Sequence, residues 1–589
     1  MKFRSLHKWD NKEDCVSLIY VAQLIDELLF DFTLDTYKPS AMNTSLLVTE
    51  ALVTIKAIDS GSVKKPNLPH ILTELCENLK KDEVAKSLLS VDLSGILKTL
   101  QNPKSTDQSI ATTIELLLNQ IPLTAYKTRN ERLLISEVTG SGEFSKLRSL
   151  ARSYVTTLLN FGYSHKYIHD VSRQFFFYSS DRIGSNEAIN DYISIFSSKK
   201  DKYQILYRVP MHLNSFEKSA KRLGIIFPKD ITEFADGIKS HSFNLGSKDV
   251  YLLFGEIEGK DPYVAKSKSD YGLELFQTLV GLYHHKESPA KIVECLVFDR
   301  SKDTCRKVSR SINPMHKCAD SKIGVASKKL SEFMSSFSMK NESFRKFNRS
   351  AELHALALSS ESRENQMINL WIALESLIPN KPEEEKSSQI QHIISSMLPF
   401  LNLSYINKIV LRFYKDLWNW DSKLARGLLK KIDAEGYLMK IMHFFCLSKY
   451  QNLRTELEKS TKDFHLFKDR FEYIQYVLSS PANLAIALDG HTRRIEWQIR
   501  RIYRARNLIV HDGKTPSYTD VLIENTHDYL DSIMNKLMSL ASTEDTVNSI
   551  DQGFKMMELN YSSYYAALSQ KGIQFNDNNI NDLLLKNTI

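Results

Sequence analysis

Apolar residues recur at helical spacing along most of this 589-residue chain, and the pattern changes in one place, between about 200 and 330. Segments 16–30 (VSLIYVAQLIDELLF), 45–57 and 68–80 repeat at i, i+3 and i+4 and are separated by Pro, Ser, Asn and Gly. In 145–178 two helices should meet at Phe161–Ser164, Gly162 ending the first and Ser164 capping the second. Further helices are expected over 363–378, 387–400, 405–418, 421–432, 436–447, 467–479, 490–511 and 517–541, with a charged PEEEK loop at 382–386. The middle reads differently. YQILYRVPM (203–211), DVYLLFGEIEG (249–259) and KIVECLVFDR (291–300) are short β-branched and aromatic runs bounded by turn residues, with a helical stretch at 271–286 between them. Ser301–Ser327, basic and polar, reads as an exposed connection. The expected fold is therefore mainly α. It comprises a helical region at 1–195, a small mixed α/β domain at 200–330, a helical bundle at 340–545 and a tail at 546–589 with one loosely packed helix.

Composition narrows the class. A chain that is 42% hydrophobic and 25% charged, with 20 Gly and 15 Pro, is globular rather than disordered or fibrous, and its length calls for several cores. Cys15, Cys76, Cys295, Cys305, Cys318 and Cys446 are too scattered for a disulfide framework, which points to a reducing, cytoplasmic setting. The first residues hold no signal-peptide core and the apolar runs are broken by charge, so neither export nor a membrane partner is expected. The net charge of +8 permits an anionic partner without requiring one.

The positive charge concentrates in HTRRIEWQIRRIYRARNLIVHDG, with six arginines between 493 and 506. Ile495, Ile499, Ile502, Ala505 and Ile509 follow one another at steps of 4, 3, 3 and 4, a stripe that one helix face would bury. Arg500, Arg504, Asn507 and His511 form a second, polar stripe, and Arg506 stands one step of about 100° from Asn507. Asp512-Gly513 is a stop signal that places His511 at or just past the helix end. Cutting RNA without a metal calls for residues of these types. Histidine titrates near neutrality and can move the proton of a ribose 2′-OH. Arginine grips phosphate oxygens in two places and stabilises the charge that develops. Asn507, one turn before His511, could orient the imidazole or bond a phosphate oxygen. On a regular helix Arg506 and His511 lie about 7.5 Å apart along the axis and ~140° apart around it. They converge only where the helix loosens or where a second copy completes the site.

The segment RNLIVH resembles the HEPN superfamily signature, an Arg followed by a polar residue and then His. NLWIALESLI (369–378) and RRIYRARNLIVHDGK (500–514) are similar to the Apea-like HEPN family of bacterial and phage-defence proteins, over about 340–545. The resemblance implies a dimeric helical-bundle endoribonuclease acting on RNA in abortive infection, with a phage-derived trigger and no cofactor. Arg506, Asn507 and His511 would be its catalytic residues, with Glu375 and Arg504 in support. Arg500 and Arg501 are the candidates for contacting the RNA backbone, although they read first as solvated or helix-pairing charges. The alternative is a HEPN scaffold without catalysis that dimerises and binds a nucleotide or a partner protein.

Other patterns are weaker. His165 and His169 stand at i, i+4 before Asp170, a metal-binding spacing with no third ligand in view. Cys295, Cys305, His316 and Cys318 lack the paired spacing of zinc knuckles, so no metal is expected. GEIEGK at 255–260 is not a P-loop. The corner in 145–178 is a helix-turn-helix only in the loose sense, the sole ground for considering DNA binding in the N-terminal region.

Overall fold

In a computed structural model the helical periodicity is realised almost throughout, and the described residues are 3–61, 68–197, 199–284, 294–317, 321–336, 338–382, 387–542 and 547–584. They form two compact units. One holds residues 1–153, 184–186 and 313–589; the other holds 154–183 and 187–312. The first unit thus joins the N-terminal helices and the C-terminal bundle, which the sequence pattern set apart.

In that unit α1 (Val16–Leu28) is buried on nearly every side. Its two buried carboxylates are paired: Asp26 with Arg4 at 2.9 Å, and Glu27 with Arg412 at 3.2 Å and Arg470 at 3.3 Å. Buried charge in this setting persists only when so matched. α2 (Thr44–Asp59) is capped by Asn43, whose side-chain oxygen accepts the Leu46 N–H at 3.0 Å, and packs on α3 (Leu68–Lys81). The bundle continues with α4 (Asn341–Ser359), α5 (Arg363–Leu377), α6 (Gln389–Trp420), α7 (Pro481–Asp512), α8 (Thr519–Ala541) and α9 (Ile550–Leu568).

Three expectations change here. The separate helices at 387–400 and 405–418 are one helix, α6, running through Pro399. Proline removes one backbone hydrogen bond, but Met397, Phe400, Leu401 and Leu403 are buried on both sides of it and packing holds the halves in line. α7 begins nine residues earlier than the stripe suggested. α9 is an integral helix, with Phe554 against Phe400 at 4.8 Å and the Tyr565 hydroxyl donating to Asp489 at 2.7 Å; only Ile580–Leu584 forms a short helix beyond it. By length and composition α6 could cross a membrane, yet 67% of its apolar window is buried within the protein, as in a core helix. Most of the PEEEK loop lies outside the described residues.

The second unit is built on an antiparallel sheet of β1 (Asp201–Pro210), β2 (Ile225–Ile226), β3 (Asp249–Gly259), β4 (Glu294–Asp299) and β5 (Thr304–Ser309), in the order β2-β3-β1-β4-β5. Tyr207, Phe254 and Cys295 point to one apolar cluster, beneath the Pro262–Gly281 helix, and Leu206, Leu253 and Leu296 to another. Both faces are covered, which is why these strands read as unbroken apolar runs. β5 corrects the expectation that Ser301–Ser327 is only a connection. Its side chains are largely exposed, so the sequence shows no apolar alternation, yet its backbone pairs with β4 from Thr304 to Ser309. The corner at 161–164 forms as expected: Gly162 takes φ +101° and the Ser164 hydroxyl accepts the Tyr167 N–H at 3.1 Å.

Candidate active site

α7 is specified at both ends. Ser480 caps it by accepting the Asn483 N–H at 3.2 Å, and Pro481 occupies the first turn, where no N–H is needed. At the other end Gly513 adopts φ +61°, and its N–H and that of Lys514 close on the Ile509 and Leu508 carbonyls, each at 3.2 Å. Only glycine takes that conformation without strain. Between these ends Ile495, Ile499, Ile502, Ala505 and Ile509 are all buried, as their spacing predicts.

The helix stays regular through Asp512, so His511 lies within its last turn. One chain therefore keeps Arg506 and His511 on different sides of the helix, and the loosened end that would let them converge does not occur. His511 is exposed, while Arg506 and Asn507 are half-buried. Arg506 Nη1 donates to Asn507 Oδ1 at 3.0 Å. Asn507 thus orients the arginine, whereas its sequence position also allowed it to orient the histidine. No carboxylate pairs with Arg506 among the described residues. Val510, 45% exposed, lies on the arc between Arg506 and His511.

The other arginines of α7 are engaged. Arg501 pairs with Glu74 at 2.6 Å and Glu50 at 3.2 Å, and Arg504 with Glu50 at 2.8 Å; Arg501, Arg504 and Glu74 are buried, and the Glu50 side chain is 8% exposed. Burial pushes the Glu50 carboxyl up, but Arg501 and Arg504 outweigh it and bring it down to about 2. Burial leaves Glu74 raised, although Arg501 pulls it down. Arg500 is buried and donates to Gln391. This corrects the assignment of Arg500 and Arg501 as RNA-binding residues and of Arg504 as a supporting one. The Arg500 and Arg504 part of the polar stripe, with Arg501 next to it, is covered by α2, α3 and α6.

Glu375 is also displaced from its expected role. The Glu364 carboxylate at the start of α5 accepts from the Thr515 hydroxyl at 2.6 Å, just past the end of α7, and Trp371 meets Tyr503 with ring centroids 5.6 Å apart. α5 and α7 are therefore antiparallel, which puts Glu375 about 10 Å along the axis from the level of Arg506. It makes no hydrogen bond or ion pair among the described residues. If the chain cleaves RNA as the resemblance implies, Glu375→Ala should change the rate by less than about twofold, as substitutions away from coupled sites usually do; a larger loss in a cleavage assay would restore its supporting role.

Sequence reasoning missed the carboxylate at the His511 end, Glu364, because choosing it requires the direction of α5 relative to α7. It also missed His70 on α3. Burial first, then the charges of Arg500 and Arg504, bring that imidazole down to about 4 and keep it neutral at pH 7. His165 and His169 are neighbours with ring centroids 6.4 Å apart. Cys295 pairs across the sheet with Val308 and not with Cys305, and Cys318 lies outside the described residues. No family model, curated protein or solved structure matches the chain.

Proposed function

We propose that this chain is a metal-independent endoribonuclease of the HEPN kind, working in the cytoplasm as a homodimer and serving as an abortive-infection effector against phage. One observation carries the reading. At the exposed end of α7, Arg506 is oriented by Asn507 and has no carboxylate partner among the described residues, while His511 faces solvent from another side of the same helix end. An arginine held in place without a counter-charge is suited to an anionic ligand.

In the proposed reaction the His511 imidazole takes the proton of a ribose 2′-OH and the 2′ oxygen attacks the adjacent phosphorus. Arg506 holds the non-bridging oxygens as charge builds, the bond to the 5′ oxygen breaks, and the imidazolium returns a proton to that oxygen. The ends are a 2′,3′-cyclic phosphate and a 5′-hydroxyl. The trigger would be a phage-derived component.

The test is cleavage of total RNA in EDTA by the wild type, Arg506→Ala and His511→Ala, with thermal unfolding confirming that all three are folded. The wild type should cleave, and each variant should lose about 10²–10⁴-fold, the usual contribution of a proton-transfer group. Variants that cut as fast as the wild type would sink the catalytic reading. A second reading, a HEPN scaffold that dimerises and binds a nucleotide or a partner protein, is favoured by the regularity of α7 up to its glycine cap, which holds Arg506 and His511 apart within one chain.

A further inference from the structure

We propose that His354, His527 and Asp531 form a binding site for one divalent cation of the zinc class, tying α4 to α8. The site is independent of the RNA-cleavage reading. His527 and Asp531 stand one turn apart on α8 and so share a face. α4 brings His354 against them, its ring 4.9 Å from that of His527. Both imidazoles aim Nε2 at the same carboxylate: His354 at Oδ1, 3.5 Å away, and His527 at Oδ2, 3.4 Å away. Donor atoms of all three residues lie within 4.8 Å of one another.

These separations are long for N–H···O hydrogen bonds, which cluster near 2.9–3.0 Å. The two nitrogen–oxygen separations are close to the edge of a tetrahedron, because ligands about 2.0–2.1 Å from a zinc ion stand roughly 3.3–3.4 Å from each other; they run to different oxygens of one carboxylate, so a small side-chain rotation is needed to bring the set onto one ion. At that separation from Asp531, His354 Nε2 is buried and has no hydrogen-bond partner among the described residues. A buried nitrogen of that kind costs free energy unless something takes its lone pair or proton. Two imidazoles and one carboxylate suit zinc, cobalt(II) and iron(II) better than magnesium or calcium. The side chains of His354 and Asp531 are 20% and 36% exposed, so water can reach a fourth position. The competing occupant of the same geometry is a proton shared between the carboxylate and an imidazole.

The experiment uses the full chain, stripped with chelator, returned to chelator-free buffer and titrated with cobalt(II) and then zinc. The expected result is one cobalt per chain with the strong visible absorption of a four-coordinate site, displaced by zinc, together with a zinc-dependent rise in Tm. His354→Ala and Asp531→Asn should lose at least about 100-fold in affinity, beyond what even outer-sphere partners cost, and abolish the Tm response. Both residues are partly exposed, which keeps these variants usable where substitution of the buried His527 would compromise folding. His165→Ala should bind as the wild type does. Uptake that persists in His354→Ala and Asp531→Asn, or wild-type uptake no greater than theirs, overturns the site and leaves the shared proton as its explanation.

Discussion

Mixing Arg506→Ala chains with His511→Ala chains, each inactive alone, should restore RNA cleavage. Because α7 is regular to its cap, the two side chains cannot meet within one protomer. In the proposed symmetric dimer Arg506 of each chain would face His511 of the other, across the arc on which Val510 is exposed. A mixed dimer then contains one site with both substitutions and one with neither. Half the dimers in a statistical mixture are mixed, so activity should recover to ~25% of the wild type. The measurement is cleavage of a fluorescent RNA after subunit exchange, with co-purification of differently tagged chains proving that exchange took place. Exchanged mixtures as inactive as their parents would mean that each chain supplies its own Arg506 and His511, contrary to the geometry.

Glu50→Ala should destabilise the first unit by about 3–5 kcal/mol, the usual cost of removing one partner from a buried ion-pair cluster. Arg504 loses its carboxylate and Arg501 keeps only Glu74. Urea unfolding is the check, and a loss below about 1 kcal/mol would show that the buried arginines find solvent or other partners. The same cluster sets an acid limit. Glu50 falls from 4.5 to about 2, and so does Glu524, where burial is outweighed by Lys38 and Lys317. A depressed carboxyl stabilises the fold fully above its unfolded value, and that stability is lost as pH falls through the folded one. Unfolding free energy should therefore drop between about pH 4.5 and 2, by at most about 3 kcal/mol per residue. Glu74, raised by burial, works in the opposite sense: its protonation relieves a cost as pH falls. Glu50→Gln should flatten the acid dependence, which separates this cluster from the carboxylates elsewhere in the chain.

The apolar stripe of α7 and the corner at Gly162–Ser164 were legible because both depend on residues within one or two turns. So was the mainly helical class with its small sheet. What escaped was set by distant partners. Nothing near Arg501 announces Glu50 and Glu74, more than 420 positions away in the chain. His527 and Asp531 show the i, i+4 spacing, but His354 comes from another helix. β5 escaped because an exposed edge strand needs no apolar alternation, and α6 because buried packing overrode a proline. For the candidate site, the residue types and their helix were readable, whereas the pairing of Arg501 and Arg504 with carboxylates became visible only once α2 and α3 were in place.

Those two helices have a consequence in time. Residues 1–153 share a unit with 313–589, and Glu50 and Glu74 find Arg501 and Arg504 only after α7 has been made. At about 5–20 residues per second, the ribosome releases the first helices tens of seconds before the arginines they will cover. Through that interval the acidic faces of α2 and α3 must stay in solution with their partners unborn. The arginine helix, by contrast, emerges into a cell where its cover is already waiting. That order of birth means the arginine helix is never presented bare on a finished chain.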